Sequence, residues 1–271
     1  MERKIDFVIS VRDRDDKRIQ RCVDSLHSSI TNEIYIVDYN SRKPVNVSNC
    51  RIIRVTHENI WNKAHALNIG IRKTENSNCK YIGLVDCDMI IGKKFLNKCK
   101  KFLKYDAFIF TKSVYRINPQ FLDWKLSKKK LFSLATPWSD DYYHYGVGGI
   151  QIFHKDWIFT IGGCDENLTY WGGIDNDLYE RAIRTGLALI DINEPILHQD
   201  HPFIKEENLP SIEERQKAYE QRQGRRLYLD FKKERNINVN KGDWGIPDNP
   251  QQDRVKIKLM QNEQNFNRDY F

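Results

Sequence analysis

The sequence contains no long hydrophobic run. Its longest apolar stretches are strand-length, as at residues 81–85, whereas a helix that spans a membrane needs about 20 apolar residues. The few residues before the first strand-like run leave no room for a signal peptide. We therefore expect a cytoplasmic protein without a membrane span, and a peripheral position at a membrane surface remains open.

The sequence also lacks C-x-x-C pairs, internal repeats and a recognisable linker. In the absence of a signal peptide, its six scattered cysteines indicate reduced thiols. The lack of repeats and linkers favours one main domain over residues 1–205. We expect residues 206–271 to form a C-terminal helical extension and tail that pack on the same domain.

The composition is that of a folded, basic protein. Of its 271 residues, 40% are hydrophobic and 30% are charged, which is enough for a buried core. Forty-four Lys and Arg residues stand against 37 Asp and Glu residues, for a formal net charge of +7. This excess favours anionic partners such as nucleotides, nucleic acid, acidic glycans or a membrane surface, and does not choose among them.

Strand and helix patterns alternate over the first half of the chain. This alternation predicts an α/β fold with a mostly parallel sheet and helices on both faces. Residues 118–145 show no clear period and are predicted to form a loop-rich insertion. The predicted strands cover residues 6–11, 33–38, 51–55, 80–86 and 107–111, and the predicted helices cover the residues after Asp15 or Asp16 and residues 61–72, 93–103, 175–185 and 211–234.

Charged side chains follow three of the predicted strands. Arg12 and Arg14 come after the first strand, Asp38 ends the second, and Asp86 and Asp88 end the fourth. Because the carboxyl ends of parallel strands meet at one edge of a sheet, we expect these groups to face a single crevice. Two carboxylates there can hold a divalent cation, and two guanidinium groups can bind phosphates. Each feature alone is also typical of a solvated strand end or turn.

Five short motifs occur in the order found in one group of enzymes. Through them the sequence resembles nucleotide-sugar glycosyltransferases of the GT-A fold, in particular the β-1,4-galactosyltransferase group and bacterial chondroitin-polymerase-type domains. The resemblance covers roughly residues 5–202, and the ordered set is more specific than any single motif. The motifs are Val11-Arg12-Asp13-Arg14, Trp61-Asn62-Lys63-Ala64 with Leu67-Asn68-Ile69-Gly70, Asp86-Cys87-Asp88, Gly148-Gly149-Ile150 and Trp171-Gly172-Gly173-Ile174-Asp175-Asn176-Asp177.

The resemblance implies a metal ion and a UDP-sugar donor. Asp88 would be a direct ligand of Mn²⁺ or Mg²⁺, together with His198, which follows the last core strand in the family's order. His201 is the other histidine available, and we interpret it as a hydrogen-bonded surface residue. The residues implied to bind the donor are Arg12, Arg14, Asp38, Lys63, Asp86 and Asp88.

The resemblance also implies a general base and an acceptor site. Asp175 would remove the proton of an acceptor hydroxyl in a transfer that inverts the anomeric configuration, although by its residue type alone it is an ordinary helix N-cap. Ile174 stands where the family usually has an acid, so we expect the acceptor to differ from the family's usual amino sugar. The residues implied to bind the acceptor are Tyr145, Gly148, Gly149, Trp171, Gly172 and Asp177.

Together these features predict a metal-dependent, inverting glycosyltransferase. Galactose or N-acetylgalactosamine is the favoured donor sugar, and a hydroxyl of a glycan or glycoconjugate the favoured acceptor. Lysine clusters at residues 93–104 and 128–130, together with the arginines at 222–226, leave two further options: solvated helix faces or a track for a polyanionic acceptor. A viral-type DNA glycosyltransferase and a non-catalytic sugar-binding module are the alternative functions. Residues 142–149 are expected to form a mobile loop over the site.

Overall fold

The computed structural model describes most of the first 200 residues and parts of the C-terminal region. The described residues are 3–56, 60–122, 126–137, 148–170, 173–201, 211–213, 215–216, 220, 236–240 and 242–247. Among them, no helix is both long and apolar enough to cross a membrane.

The strands of the described residues form two sheets. A seven-stranded sheet has the order β10-β6-β9-β4-β1-β2-β3, and a four-stranded sheet has the order β5-β11-β7-β8 once the strands are numbered along the chain. The strands are β1 (Ile5–Val11), β2 (Thr31–Tyr39), β3 (Arg51–Val55), β4 (Tyr81–Asp86), β5 (Met89–Ile90), β6 (Ala107–Phe110), β7 (Val114–Ile117), β8 (Thr136–Pro137), β9 (Ile150–His154), β10 (Ala188–Asp191) and β11 (Ile196–Gln199).

The seven-stranded sheet is mostly parallel, as predicted. Strand β1 lies between β2 and β4 and is parallel to both, and β10 is parallel to β6. Only β9 is antiparallel to its two neighbours, β4 and β6. The carboxyl ends of β1, β2 and β4 therefore meet at one edge of the sheet, where an open α/β sheet binds its ligands.

Helices cover both faces of this sheet. Two separate apolar clusters line the faces, with α1 and α3 contributing to one and α2, α5 and α6 to the other. Helix α1 illustrates why they form: the Asp15 side chain caps it by accepting from the Arg18 N–H, and its buried residues recur at helical spacing. The helices are α1 (Asp16–Leu26), α2 (Lys63–Lys73), α3 (Lys93–Phe102), α4 (Lys128–Leu134), α5 (Lys155–Thr160) and α6 (Ile174–Arg184).

The predicted loop-rich insertion contains regular elements among its described residues, 118–122 and 126–137, and for these residues the prediction is wrong. Residues 119–121 form a 3₁₀ turn, Ser127 caps helix α4 by accepting from the Lys130 N–H, and β8 follows. A small apolar cluster that includes Ile117, Leu131 and Leu197 joins this helix to the four-stranded sheet. Because α4 begins with three lysines, its few apolar residues do not form a recognisable helical pattern in the sequence.

Part of the C-terminal region packs against α2. Trp244 is buried, and the Arg72 guanidinium lies 4.2 Å from the centre of its ring while its Nε donates to the Trp244 carbonyl at 3.0 Å. The predicted helix over residues 211–234 lies largely outside the described residues. Its described positions 212–213, 215–216 and 220 are helical.

Candidate active site

The carboxylates of Asp86 and Asp88 lie at the carboxyl edge of the seven-stranded sheet. Asp86 is the last residue of β4, and the chain turns directly after it into β5. The Asp86 N–H donates to the carbonyl of Gly149 at 3.1 Å, and the Gln199 N–H donates to the carbonyl of Asp88 at 2.8 Å. The backbone of this turn is thus fixed from both sides, which holds the two side chains in place.

Asp88 lies in a compact group with two histidines. Its Oδ2 is 3.1 Å from Nε2 of His201 and 3.6 Å from Nε2 of His198. One ligand atom from each of the three residues lies within 4.8 Å of the others. The structure therefore brings Asp88 and His198 together, as expected. The interpretation of His201 as a surface residue is wrong, because its side chain is only 14% exposed and contacts Asp88 directly.

Strand pairing explains how His198 reaches Asp88. Strand β11 is antiparallel to β5, with His198 opposite Met89, the residue after Asp88. Sequence reasoning missed this pairing because β5 has two residues, too few to give a hydrophobic pattern. His201 lies three residues after His198 in the sequence, and this closeness was the signal that could have indicated a second histidine ligand.

The charges of this group stabilise one another. Burial opposes the ionised form of Asp88, but contacts with His198 and His201 outweigh it and hold the pKa of Asp88 below its usual range. Burial likewise opposes the charged form of His198, but Asp88 and Asp200 raise its pKa. A carboxylate with two imidazoles is a donor set that suits a borderline divalent ion such as Mn²⁺, so the residues fit the expected metal.

Asp200 fixes the orientation of the His198 ring. Its Oδ1 lies 3.2 Å from His198 Nδ1 and accepts from Nε of Arg116 at 3.0 Å. Arg116 lies opposite His198 in the parallel pairing of β11 with β7. A carboxylate at one ring nitrogen turns the other nitrogen of a metal-binding histidine toward the metal. Here that other nitrogen is the Nε2 that faces Asp88.

Lys63 joins Asp86 to Asp175. As the first residue of α2, it follows the N-cap Asn62, and its Nζ lies 2.5 Å from Asp86 Oδ1 and 3.9 Å from Asp175 Oδ2. Its side chain is 13% exposed. Burial opposes the ammonium charge, but the two carboxylates outweigh burial and raise the pKa of Lys63.

Asp175 lies in the first turn of α6, beside a glycine. Helix α6 begins after Gly173, which has a left-handed φ of +81°. A Cβ added to Gly148 would lie 3.3 Å from Asp175 Oδ2, so a side chain there would crowd the carboxylate. Burial raises the pKa of Asp175, and the charge of Lys63 opposes this effect. Burial makes Asp175 a better proton acceptor than a solvated carboxylate.

Gly149 supports this arrangement from the backbone. Its φ is +91°, and a Cβ there would lie 3.0 Å from side-chain atoms of Ile196 and Met89. The residue therefore has to be glycine for β9 to begin against the Asp86 backbone. Acceptor binding by Gly148 and Gly149 stays a prediction.

Arg14 and Asp38 differ in their access to this site. Arg14 is partly buried. Burial and the charge of Asp88 raise the pKa of Cys87 to about 12, and the charge of Arg14 acts against this shift. Asp38 is fully buried: it pairs with Arg54 and accepts from the N–H groups of Ser41 and Val45. A direct contact between Asp38 and a donor would require this network to open. Arg12, directly after β1, is partly buried.

Asp177, predicted to bind the acceptor, is buried in an ion pair. Its side chain is 2% exposed, and its Oδ2 accepts from Arg181 at 2.6 Å one helical turn away. Arg181 also donates to the carbonyls of Ile161 and Gly163. Asp177 thus holds α6 to the preceding turn, and in this structure it offers no acceptor contact. Ile174 is fully buried as well.

Three of the residues predicted to bind the acceptor lie outside the described residues. These are Tyr145, Trp171 and Gly172, and most of the predicted mobile loop over residues 142–149 falls there too.

A cavity of about 380 Å³ lies elsewhere, between β3, α2 and the segment 243–247. Its lining includes Arg54 and Arg72 and none of the residues of the Asp88 group or around Asp175.

Comparison with known families identifies the family of this chain. The family model for glycosyl transferase family 2 matches residues 6–161, more than half of the chain. The chain belongs to glycosyl transferase family 2. A second model, the N-terminal domain of galactosyltransferase, matches residues 130–201. The predicted family resemblance is confirmed.

Individual relatives are distant. The chain is 24% identical over 180 residues to the chondroitin synthase of Escherichia coli, a match that covers 51% of this chain and 25% of that protein. The chain therefore spans about a quarter of the length of this relative.

The solved structure of GalNAc-T7 with UDP, GalNAc and Mn²⁺ has a TM-score of 0.55 and 14% identity, and the match covers 73% of this chain and 44% of that one. The catalytic domain of Drosophila β1,4-galactosyltransferase 7 with xylobiose has a TM-score of 0.45 and 17% identity, and the match covers 69% and 64% of the two chains. The likeness to GalNAc-T7 confirms the predicted GT-A fold.

Proposed function

We propose that this glycosyltransferase transfers a sugar from a UDP-sugar to a hydroxyl of a glycan or glycoconjugate, with a divalent metal and with inversion at the anomeric carbon. One observation carries the proposal: a carboxylate–imidazole group (Asp88, His198 and His201) lies at the same sheet edge as a carboxylate of raised pKa, Asp175. The first suits a metal bound to a diphosphate, and the second suits a general base.

The donor half of the proposal concerns the diphosphate. Asp88, His198 and His201 would hold Mn²⁺ or Mg²⁺, which when bound supplies positive charge to a diphosphate leaving group. Arg12, Arg14 and Lys63 add fixed positive charge at the same edge and would bind phosphate oxygens. Since Lys63 already contacts Asp86, donor binding would exchange part of that ion pair for phosphate contacts.

The acceptor half concerns Asp175. Its carboxylate would accept the proton of the acceptor hydroxyl as the oxygen attacks the anomeric carbon, and the UDP group would leave from the opposite face. Lys63, 3.9 Å away, favours the ionised form of the carboxylate, which is the form that accepts a proton. A side chain at Gly148 would bring its Cβ to 3.3 Å from Asp175 Oδ2, so glycine at this position keeps the carboxylate uncrowded.

The identity of the donor sugar is less constrained than the roles of the metal and the general base. The match to a galactosyltransferase model and the relationship to a chondroitin synthase both favour galactose or N-acetylgalactosamine. The galactosyltransferase group usually has an acid directly before the base, and this chain has the buried Ile174 there. Asp177 is paired with Arg181. We therefore expect acceptor recognition to differ from that of the galactosyltransferase group.

The proposal is tested by UDP release from a panel of UDP-sugars without acceptor, with Mn²⁺ or with EDTA. We expect slow, metal-dependent release from UDP-galactose or UDP-N-acetylgalactosamine and loss of that release in the D88A variant. Asp156→Asn, an exposed carboxylate in the first turn of α5, is the matched control. Release that is equal with Mn²⁺ and EDTA would contradict metal dependence, and failure of UDP to bind with Mn²⁺ in calorimetry would contradict the choice of donor.

A further inference from the structure

Helix α3 has one face in the core and one face of lysines. Phe95, Leu96 and Cys99 are buried in the apolar cluster beneath the sheet. The six lysines at positions 93, 94, 98, 100, 101 and 104 are all exposed. The inner face packs the helix on the domain, so this packing does not require the lysines on the outer face.

This positive charge is largely uncompensated. Among the described residues, Lys98 has an ion pair, with Glu194 at 2.5 Å, and no ion pair is formed by the other five lysines of the segment. Clusters of four to eight basic residues on an amphipathic helix are typical of binding to anionic lipid headgroups.

Two aromatic side chains project among these lysines. Phe102 is 38% exposed and Tyr105 is 62% exposed, and both belong to the small set of large hydrophobic residues that the described surface exposes. The Tyr105 ring packs on His154 with its centre 4.6 Å away, which holds it at the surface. Aromatic rings beside lysines suit a membrane interface, where rings enter the headgroup region and ammonium groups contact phosphates. Duplex DNA keeps its bases stacked inside the helix and presents phosphates, so it gains little from exposed rings.

The aromatic end of α3 lies at the far edge of the sheet from the candidate active site. The Tyr81 hydroxyl, on the first residue of β4, donates to the Leu103 carbonyl at 3.0 Å, whereas Asp86 is the last residue of β4. A strand of this length spans roughly 17–20 Å. A partner bound at Phe102 and Tyr105 would therefore leave the crevice open and would not itself be the acceptor at Asp175.

We propose that the outer surface of α3 and of the turn after it, formed by the six lysines with Phe102 and Tyr105, docks the protein on an anionic membrane surface. The lysines contact lipid phosphates and the two rings enter the headgroup layer. The charge would also attract nucleic acid, but the exposed rings and the distance from Asp175 favour a membrane.

The test is flotation with vesicles of phosphatidylcholine alone or mixed with phosphatidylglycerol. We expect the full chain to bind only the mixed vesicles, and added salt to weaken binding. The triple variant K100Q/K101Q/K104Q should bind them on the order of a hundredfold more weakly, since each basic residue near the surface contributes several-fold. F102S/Y105S should also bind more weakly, with its loss persisting at high salt.

The matched control is K17Q/K73Q/K112Q, which removes the same charge from exposed sites on α1, α2 and the segment after β6. It should bind mixed vesicles nearly as well as the wild type. Equal losses in the two triple variants, or no wild-type binding to mixed vesicles, would overturn the proposal. Duplex DNA that binds more tightly than vesicles, together with no effect of F102S/Y105S on vesicle binding, would overturn it in favour of nucleic acid. The readout is vesicle binding, so it does not depend on the proposed transfer.

Discussion

The two corners of the crevice combine acidic and basic side chains in opposite proportions. The metal corner (Asp88, His198 and His201) has one carboxylate and two imidazoles, and the base corner (Asp86, Lys63 and Asp175) has two carboxylates and one ammonium. The pKa of Asp88 is lowered by its histidines, whereas the pKa of Asp175 is raised by burial. When the surroundings shift the pKa values of two carboxylates in opposite directions, the two groups take different chemical roles.

The largest effect should come from Asp175→Asn. This change keeps the shape of the base corner but removes the proton acceptor, and general base catalysis contributes roughly 10²–10⁴-fold in rate. We expect kcat for transfer to fall by about that factor while UDP still binds with Mn²⁺. Transfer at the wild-type rate would remove the base corner from the chemistry, and D156N serves as the control.

The variant His201→Ala tests whether His201 is a metal ligand in the metal corner. Loss of an outer partner of a metal ligand already costs about 10–100-fold in metal affinity, so loss of a ligand should cost roughly a hundredfold or more. Mn²⁺ affinity can be measured by electron paramagnetic resonance without any donor. The exposed His27, changed to alanine, is the control. Unaltered Mn²⁺ affinity in H201A would show that His201 is not a metal ligand.

Asp200→Asn should give a smaller effect in the same corner. The carboxylate that orients His198 is lost while the ligands remain, so we expect about a tenfold loss of Mn²⁺ affinity. Glu33→Gln removes a carboxylate of similar geometry, one that pairs with Arg51 on the exposed part of the sheet, and should leave metal binding unchanged. Equal Mn²⁺ affinities of D200N and the wild type would show that Asp200 does not position His198.

Lys63→Met should produce the mildest change, seen as a shift in pH dependence. Asp175 acts as a base when ionised, so activity falls as the pH drops through its pKa. Lys63 favours the ionised form, while burial and the nearby Asp86 oppose it. Removing the ammonium therefore raises the pKa of Asp175 further, and the acidic limb of kcat, measured at saturating donor, should move to higher pH. A limb that stays in place would show that Lys63 does not control Asp175.

The two sheets also differ in how well the sequence predicts them. Strands β1 to β4 have five or more residues with clear apolar patterns, so their positions, and with them the edge that carries Asp86 and Asp88, follow from the sequence. In the four-stranded sheet, β5 and β8 have two residues each. Its pairing depends on contacts between distant residues, and the position of His201 follows from that pairing.

Buried ion pairs limited the prediction of individual site residues. Asp38 ends a strand at the ligand-binding edge and Asp177 belongs to a motif typical of acceptor binding, yet each is enclosed by an arginine, Arg54 and Arg181 respectively. A motif specifies residue types along the chain, whereas burial depends on which part of the fold packs over them. Asp175 and Lys63 face one another because the starts of α6 and α2 meet at the same edge.

Calorimetric titration of UDP with Mn²⁺ into the wild type, D88A and D175N tests the division between the corners most directly. The account predicts that D88A loses metal-supported UDP binding by about a hundredfold or more, because a buried ligand is removed, while D175N binds UDP like the wild type. Wild-type binding by D88A, or equal loss in both variants, would contradict the separate roles of the metal corner and the base corner.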